Sequence, residues 1–546
     1  MKFGADAEVV EAILPGIEVP NSRNLEKPEL GSVFSDKIAD WISKNYVMGP
    51  YHQPPLPDFR SNSMFALEQG HKIRPIVNLS APAGQSFNEA VLDLPSVEMA
   101  SSKQVAQQIY KHGYGCLLCK LDMVDAYKLI PLKPSQWRLM GFKWLGKYFI
   151  EKRQVFGSRS AVSNYDVFHF VVSLICRVLT DTPKEDVPRV LDDQMVIGMH
   201  PTFIDTYLQL AKEVNIPLAP MDDGKKAFVY KTSGTMLGIH FNTKAMTWSL
   251  PKEKAQKYMY DISCVTRDRI ATLKELQSIN GYLNVIITHA PILKCWRAPL
   301  IIEIIRAENK PQGILLRNEV INCLNNWLRI IEDLSVEGFP ITPPPEYLPD
   351  FHFVLDSDAA GLAIDEQLKF DIGAGYVLAK HQGKILSTGQ VFWDRSFIQS
   401  YDNQGRFFGC KTTTLECAAF IYPLYHNRTL IKNSRVLIFV DNSAVMYAFD
   451  KGRSGSDPYV TFLVQAILFV MTQLCCLLTV RHVKRRSSTT AKIADTLSRD
   501  NEEAKEMITD LKSFRKGCWP HAMTDWFKNP SFDPNFKRKL LDEFLL

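Results

Sequence analysis

The sequence lacks a strong charge of either sign, an internal repeat and a secretory leader. With 64 Lys+Arg against 59 Asp+Glu, the 546 residues carry a net +5, and bulk electrostatics alone do not nominate a nucleic-acid binder. No glycine period or short repeat is present, which excludes collagen and solenoid architectures. No basic stretch followed by an apolar one occupies Met1 to Pro20, and the 11 cysteines are an odd number. Both features predict an intracellular, reducing compartment, cytoplasmic or nuclear, with free thiols. One run, Val460 to Val480, has the length of a membrane span. Gln465, Gln473, Thr461, Thr472 and Thr479 interrupt it, and its β-branched end predicts a buried helix running into a strand, with no membrane partner.

What is present is a 46% hydrophobic chain, too apolar for disorder and long enough for three or four folding units at roughly 150 residues each. Residues 1–33 read as an extension. Over 34–250 short apolar strand-like runs alternate with helical segments, an α+β pattern. From 251 to 338 apolar residues recur at spacings of three and four, as in helices. Five prolines in FPITPPPEYLPD mark 339–350 as a linker. Residues 351–500 return to an α/β pattern, and 501–546 form a charged, then aromatic, extension.

Carboxylates stand at the ends of several apolar runs. CLLCKLDMVDAY delivers Asp122 at a strand end, with Asp125, Ala126 and Tyr127 in the turn after it. VLDDQMVIG places Asp192 and Asp193 side by side between two apolar runs. A lone Asp after a strand is ordinarily a turn or cap residue. Adjacent like charges at a hairpin tip, however, are tolerated only where water or a cation screens them. Two such sites can hold a pair of Mg²⁺ ions, which take carboxylate and phosphate oxygens. Cys116 and Cys119 form a C-x-x-C, but no second pair follows at zinc spacing, so they read as residues of a buried strand.

FSDKIADWISKNYVMGPY, KIRPIVNLS, LDMVDAY, FGSRSA, VLDD, DDGKK and MLGIHFN occur in the order in which reverse transcriptases carry their fingers and palm motifs. The chain therefore resembles that family, and 34–250 would be fingers and palm, with 251–338 the thumb and a helical connection. The resemblance implies that Asp122, Asp192 and Asp193 are the metal-binding triad of the palm. Lys72 and Arg74 would hold the triphosphate of an incoming dNTP, with Asp125 and Ala126 beside it. Tyr127 would be the gate beneath the sugar, Phe156 and Gly157 would line the nucleotide pocket, and Lys225 or Lys226 would be the lysine near the triphosphate. Leu237 and Gly238 match the primer grip. Val190 stands where most of the family has Tyr or Phe, and Val155 and Val162 replace the usual prolines, departures that touch primer-end packing.

After the linker, FVLDSDAAG presents Asp356 at a strand end, with Asp358 as competitor. Glu416 lies on a predicted helix, Asp441 ends VLIFVD, and Asp495 lies in KIADTLSR, at successive separations of 60, 25 and 54 residues. Four acids on strand, helix, strand and helix resemble the metal-binding set of ribonuclease H. Asp356 directly follows FVL and is preferred for the first position. By the same resemblance Asn442 and Ser443 contact substrate, and His482 corresponds to a histidine used near product release. Lys484, Arg485 and Arg486 would touch the backbone of an RNA–DNA hybrid, against the alternative of a solvated loop. The whole looks like a retroelement reverse transcriptase fused to ribonuclease H. DNSAVMYAFDKGRSGSD, HVKRRSS and KIRPIVNLSAPAGQSFN make it most like DIRS-type (tyrosine-recombinase) elements, with gypsy-type elements next.

The resemblance implies two Mg²⁺ per site, with Mn²⁺ as a substitute, and as partners template–primer duplexes, dNTPs and other proteins of the same element. The alternative is a scaffold that keeps the fold without catalysis. Such a chain is expected to lose its acids, and all seven are present.

Overall fold

The computed structural model describes residues 16–545, apart from 27, 70–71, 93, 95–96, 225, 291–292, 294–295, 311, 342–350, 362–370, 382, 395–396, 398–410, 456, 512–513, 529–532 and 534. The chain folds as two units, Met1–Leu237 and Gly238–Leu546, so the first division falls ahead of the boundary expected at 250.

In the first unit the helices are α1 (Pro28–Ser43), α2 (Phe87–Ala90), α3 (Ser102–His112), α4 (Arg159–Thr180) and α5 (Pro201–Glu213). The strands are β1 (Val47–Tyr51), β2 (Ser61–Gln69), β3 (Lys72–Asn78), β4 (Leu118–Asp122), β5 (Gly141–Trp144), β6 (Lys147–Glu151), β7 (Arg189–Val190), β8 (Asp193–Ile197), β9 (Phe228–Lys231) and β10 (Ser233–Met236). β1 to β9 build a five-stranded sheet, β1-β6-β5-β2-β3, and a four-stranded one, β7-β8-β4-β9.

The apolar face of α1, with Phe34, Ile38 and Trp41, packs with Phe142, Trp144 and Phe149 of the first sheet. Under the second sheet Cys119, Leu121 and Val196 meet Tyr165 of α4 and Phe203 and Tyr207 of α5. Each such side chain contributes about 1.5–3 kcal/mol on burial. By length and composition α4 could cross a membrane. One of its faces is instead spent on this core, through Tyr165, His169, Val172 and Cys176.

The second unit opens with β11 (Ile239–Asn242) and β12 (Thr247–Ser249), followed by α6 (Lys252–Asp268), β13 (Ile270–Ala271), α7 (Leu273–His289), α8 (Ala298–Ala307), β14 (Ile314–Leu315), α9 (Asn318–Val336) and β15 (Phe339–Pro340). β15 pairs with β12 through Trp248 and Phe339. The segment expected as a linker from 339 thus begins as a short strand at a sheet margin, where proline is tolerated. Its remainder, 342–350, lies outside the described residues.

The other sheet of this unit comprises β16 (Phe353–Ala359), β17 (Gly373–Lys380), β18 (Ile385–Phe392), β19 (Arg435–Val440), β20 (Leu477–His482) and β21 (Phe514–Lys516). Their order is β20-β19-β16-β17-β18-β21. β16, β17 and β18 run antiparallel, whereas β19 joins β16 in parallel and β20 joins β19 in parallel. The apolar run at 460–480 is a buried helix, Pro458–Gln473, leading into β20, as its sequence predicts. β21 pairs with β18, so residues beyond the boundary expected at 500 complete the sheet.

One glycine positions a catalytic candidate. A Cβ on Gly375 of β17 would stand 2.2 Å from the Ala494 carbonyl and 2.6 Å from the Ser498 nitrogen. Its absence lets the helix Thr489–Leu497, which carries Asp495, lie directly on the strand.

Candidate active sites

β4 and β8 are antiparallel, and their register sets Asp122 opposite Asp193. The β7–β8 turn holds Asp192, and Leu191 before it takes a left-handed φ of 46°. A buried side chain supports that turn: His169 Nδ1 donates to the Leu191 carbonyl, and its Nε2 lies 3.1 Å from the Tyr207 hydroxyl.

Burial pushes the Asp193 carboxyl up to about 6, although Lys120 Nζ at 2.9 Å works against it. Burial also raises Asp192, with the charge of Asp122 adding to it. These are crowded carboxylates with too little positive charge among their own neighbours. Lys226 Nζ lies 3.6 Å from Asp122 Oδ2. Lys225 lies outside the described residues.

Beside the acids runs a row of rings. The Tyr127 ring meets Phe156 edge-on at 4.9 Å and Tyr165 at 5.7 Å. Burial, then the charge of Asp192, raises the Tyr127 phenol and keeps it neutral. The Arg74 guanidinium lies 5.9 Å from the Phe156 ring centre. Arg74, Phe156 and Tyr127 thus form a continuous row, and the charge of Asp192 is felt at its end.

Gly157, at φ 96°, accepts from Asn88 Nδ2 at 2.8 Å. Ala126 is buried. Asp125 does not join the acids: it adopts a left-handed φ of 53° and pairs with Lys44 at 3.3 Å. Lys72 opens β3, and its side chain lies outside the described residues. Leu237 and Gly238 both have positive φ, 50° and 73°, and Lys254 Nζ donates to the Gly238 carbonyl at 3.1 Å.

In the second unit β16 and β19 are parallel, with Asp356 opposite Phe439. Asp358 follows two residues later on β16, and Asp441 directly follows the end of β19. Glu416 lies on the helix Thr412–Ala419 and Asp495 on Thr489–Leu497. Burial, then the charges of Asp441 and Asp358, push Glu416 up to about 8. Asp358 rises to about 6 through burial, then Asp495 and Asp441. Its buried Oδ2 has no hydrogen-bond partner.

Asp356 is also buried and raised by burial, but the group that acts on it is the Thr490 hydroxyl. Both residues point to one face of β16 and line one cleft with Asp441 and Asp495, and the charges of Asp495 and Asp441 act on Asp358 whereas the Thr490 hydroxyl acts on Asp356.

The basic cluster is half-exposed and also pairs with the acids. Arg485 Nη2 lies 2.8 Å from Asp495, with its Nε 3.7 Å from Asp441. Arg486 and Arg499 also bind Asp495, the latter at 3.1 Å. Burial would raise the Asp495 carboxyl, but these guanidiniums outweigh it and hold it down at about 2. The arginines face the acids, and Lys484 lines the same cleft. His482 Nε2 lies 3.1 Å from the Asp441 carbonyl. Asn442 Nδ2 reaches Glu416 Oε1 at 3.4 Å while its Oδ1 caps the next helix at Ala444. Ser443, the first residue of that helix, is exposed.

Sequence reading missed Lys120 and Arg499. Each had a signal, since Lys120 precedes Asp122 by two on a strand and Arg499 follows Asp495 by four at a helix end, spacings that share a face.

No protein-family model and no curated protein sequence matches the chain. Among solved structures it is similar to foamy viral protease-reverse transcriptase in complex with double-stranded DNA. One such structure has a TM-score of 0.46 and 12% identity, covering 89% of this chain and 87% of that one. A second has a TM-score of 0.47 and 13% identity, with 89% and 73% coverage. The same viral protein in complex with an RNA/DNA hybrid gives 0.46 and 11%, with 98% and 75% coverage.

Proposed function

We propose that this chain is a retroelement reverse transcriptase of the DIRS type, with a polymerase site in the first unit and a ribonuclease H site in the second. It would synthesise DNA on an RNA or DNA template from a primer 3′-hydroxyl and cut the RNA strand of the resulting hybrid. One observation carries the reading. The chain builds two separate sets of buried carboxylates whose charges oppose one another, and each set lies beside residues suited to phosphate or sugar.

Hard oxygen donors crowded together suit Mg²⁺, and the orphaned Asp358 Oδ2 is an oxygen a cation would satisfy. Asp122, Asp192 and Asp193 would hold the polymerase ions, and Asp358, Glu416, Asp441 and Asp495 those of the nuclease. Bound there, the ions would stabilise charge on a phosphate undergoing in-line displacement.

The chain's own residues supply the rest. Arg74 and Lys72 bind the triphosphate, Phe156 and Gly157 form the floor of the nucleotide pocket, and the Tyr127 ring excludes a 2′-hydroxyl. Lys225 or Lys226 would give a proton to the departing pyrophosphate, a role that the Lys226 ammonium 3.6 Å from Asp122 supports, and the turn at Leu237 and Gly238 would seat the primer end. In the nuclease Arg485 and Arg486, which neutralise Asp495, are positioned to transfer to the hybrid's phosphates when cations arrive.

Primer extension with dNTPs and Mg²⁺ tests the polymerase half. Wild type should extend, and Asp192→Asn/Asp193→Asn should not; equal inactivity of both proteins would sink the reading.

A further inference from the structure

A cluster outside both acid sets joins three elements of the first unit. His112 ends α3, Asp186 lies in the turn before β7, and His200 caps the start of α5. His112 Nε2 stands 2.8 Å from one oxygen of Asp186, and His200 Nε2 stands 2.9 Å from the other. All three ligand atoms fall within 4.8 Å of one another. The two imidazoles meet edge-on, with ring centres 6.2 Å apart.

We propose that His112, Asp186 and His200 bind one divalent transition ion of the zinc class, separate from the Mg²⁺ expected at the acid sets. Metal–ligand distances of about 2.0–2.2 Å in a tetrahedral shell put neighbouring ligand atoms about 3.3–3.5 Å apart. With one Asp186 oxygen as ligand, its separation from the nearer imidazole nitrogen, 2.8 or 2.9 Å, is about half an ångström shorter, and all three ligand atoms lie within 4.8 Å of one another, so a small opening of the cluster seats an ion.

Two imidazoles and one carboxylate favour Zn²⁺ or Co²⁺ over Mg²⁺, which prefers oxygen alone. Asp186 is nearly inaccessible, whereas the His112 side chain is 28% exposed, leaving a fourth position open to water. Gln108, one turn before His112, donates its side-chain amide to Asp186 and fixes the carboxylate's orientation. Gly198 keeps the site clear, because a Cβ there would come within 2.8 Å of the His112 ring.

The ion would work by position. Asp186 precedes Asp192 by six residues, and His200 opens the helix whose Phe203 and Tyr207 pack beneath the same sheet. A metal here ties the base of the β7–β8 hairpin to α3 and α5.

The full chain, stripped with a chelator and dialysed against Co²⁺ in excess Mg²⁺, should bind one Co²⁺ with visible ligand-field absorption that stoichiometric Zn²⁺ removes. His112→Asn and His200→Asn should abolish that absorption while keeping the wild-type circular dichroism. Gln108→Ala should weaken Zn²⁺ binding by about 10–100-fold. X-ray absorption of the Zn²⁺-loaded wild type should show imidazole scattering from two histidines. Absence of the Co²⁺ spectrum in wild type, its persistence in folded His112→Asn/His200→Asn, or a zinc shell made of oxygen alone would overturn the proposal. The wild-type measurements decide it even if a variant fails to fold.

Discussion

Asp122 and Asp193 face each other across the antiparallel pair β4–β8, and Lys120 Nζ, 2.9 Å from Asp193, is the cation that makes the pairing tolerable without metal. Asp192 has no such partner at hydrogen-bond distance among the described ion pairs, and both burial and Asp122 oppose its charge. Asp192→Asn should therefore stabilise the protein in chelator at neutral pH while abolishing primer extension. Chemical denaturation of both proteins checks this. A destabilised variant would show that Asp192 is structurally supported rather than strained.

Asp356 and Asp358 give a sharper test of the nuclease. Asp358→Asn should eliminate cleavage of labelled RNA in a hybrid. Asp356→Asn, whose amide oxygen still accepts from the Thr490 hydroxyl, should retain most of it. The reverse pattern would put Asp356 at the head of the set.

The Tyr127 ring, wedged between Phe156 and Tyr165, is assigned as a steric gate, so the ring and not its hydroxyl should matter. Tyr127→Phe should keep the preference for dNTPs, and Tyr127→Ala should raise the ratio of rNTP to dNTP incorporation. Because the ring is buried, Tyr127→Ala should also cost about 3–5 kcal/mol of stability. Single-nucleotide incorporation assays read the ratio directly, and an unchanged ratio removes the gate.

His169 predicts a pH dependence. Burial, only partly opposed by its bond to the Leu191 carbonyl, depresses its imidazole from 6.5 to about 4. Below pH 6.5 the unfolded chain takes up a proton that the folded chain refuses. Stability is thus lost as pH falls from 6.5 toward 4, by up to roughly 3 kcal/mol. Denaturant midpoints from pH 7 to 4.5 should fall less steeply in His169→Gln than in wild type. Equal slopes would mean that His169 is protonated in the fold.

Asp122 at the end of β4 and the buried helix running into a strand over 460–480 were legible in the sequence because apolar runs and their termini follow backbone periodicity, whereas Asp356, read as a strand end, lies inside β16. The choice between Asp356 and Asp358 was not, since a period of two places both on one face. Arg485 and Arg486 were equally opaque, because long side chains on a loop can turn toward solvent or toward acids. His112 and Asp186 are 74 residues apart, and no local motif announces their meeting.

A labelled RNA template annealed to a labelled DNA primer, incubated with Mg²⁺ and dNTPs, reads both proposed activities in one reaction. The wild-type chain should lengthen the DNA and shorten the RNA; Asp192→Asn/Asp193→Asn should lose only the first, and Asp441→Asn only the second. A wild type that changes neither strand, or either variant losing both activities, would contradict two independent sites on one chain.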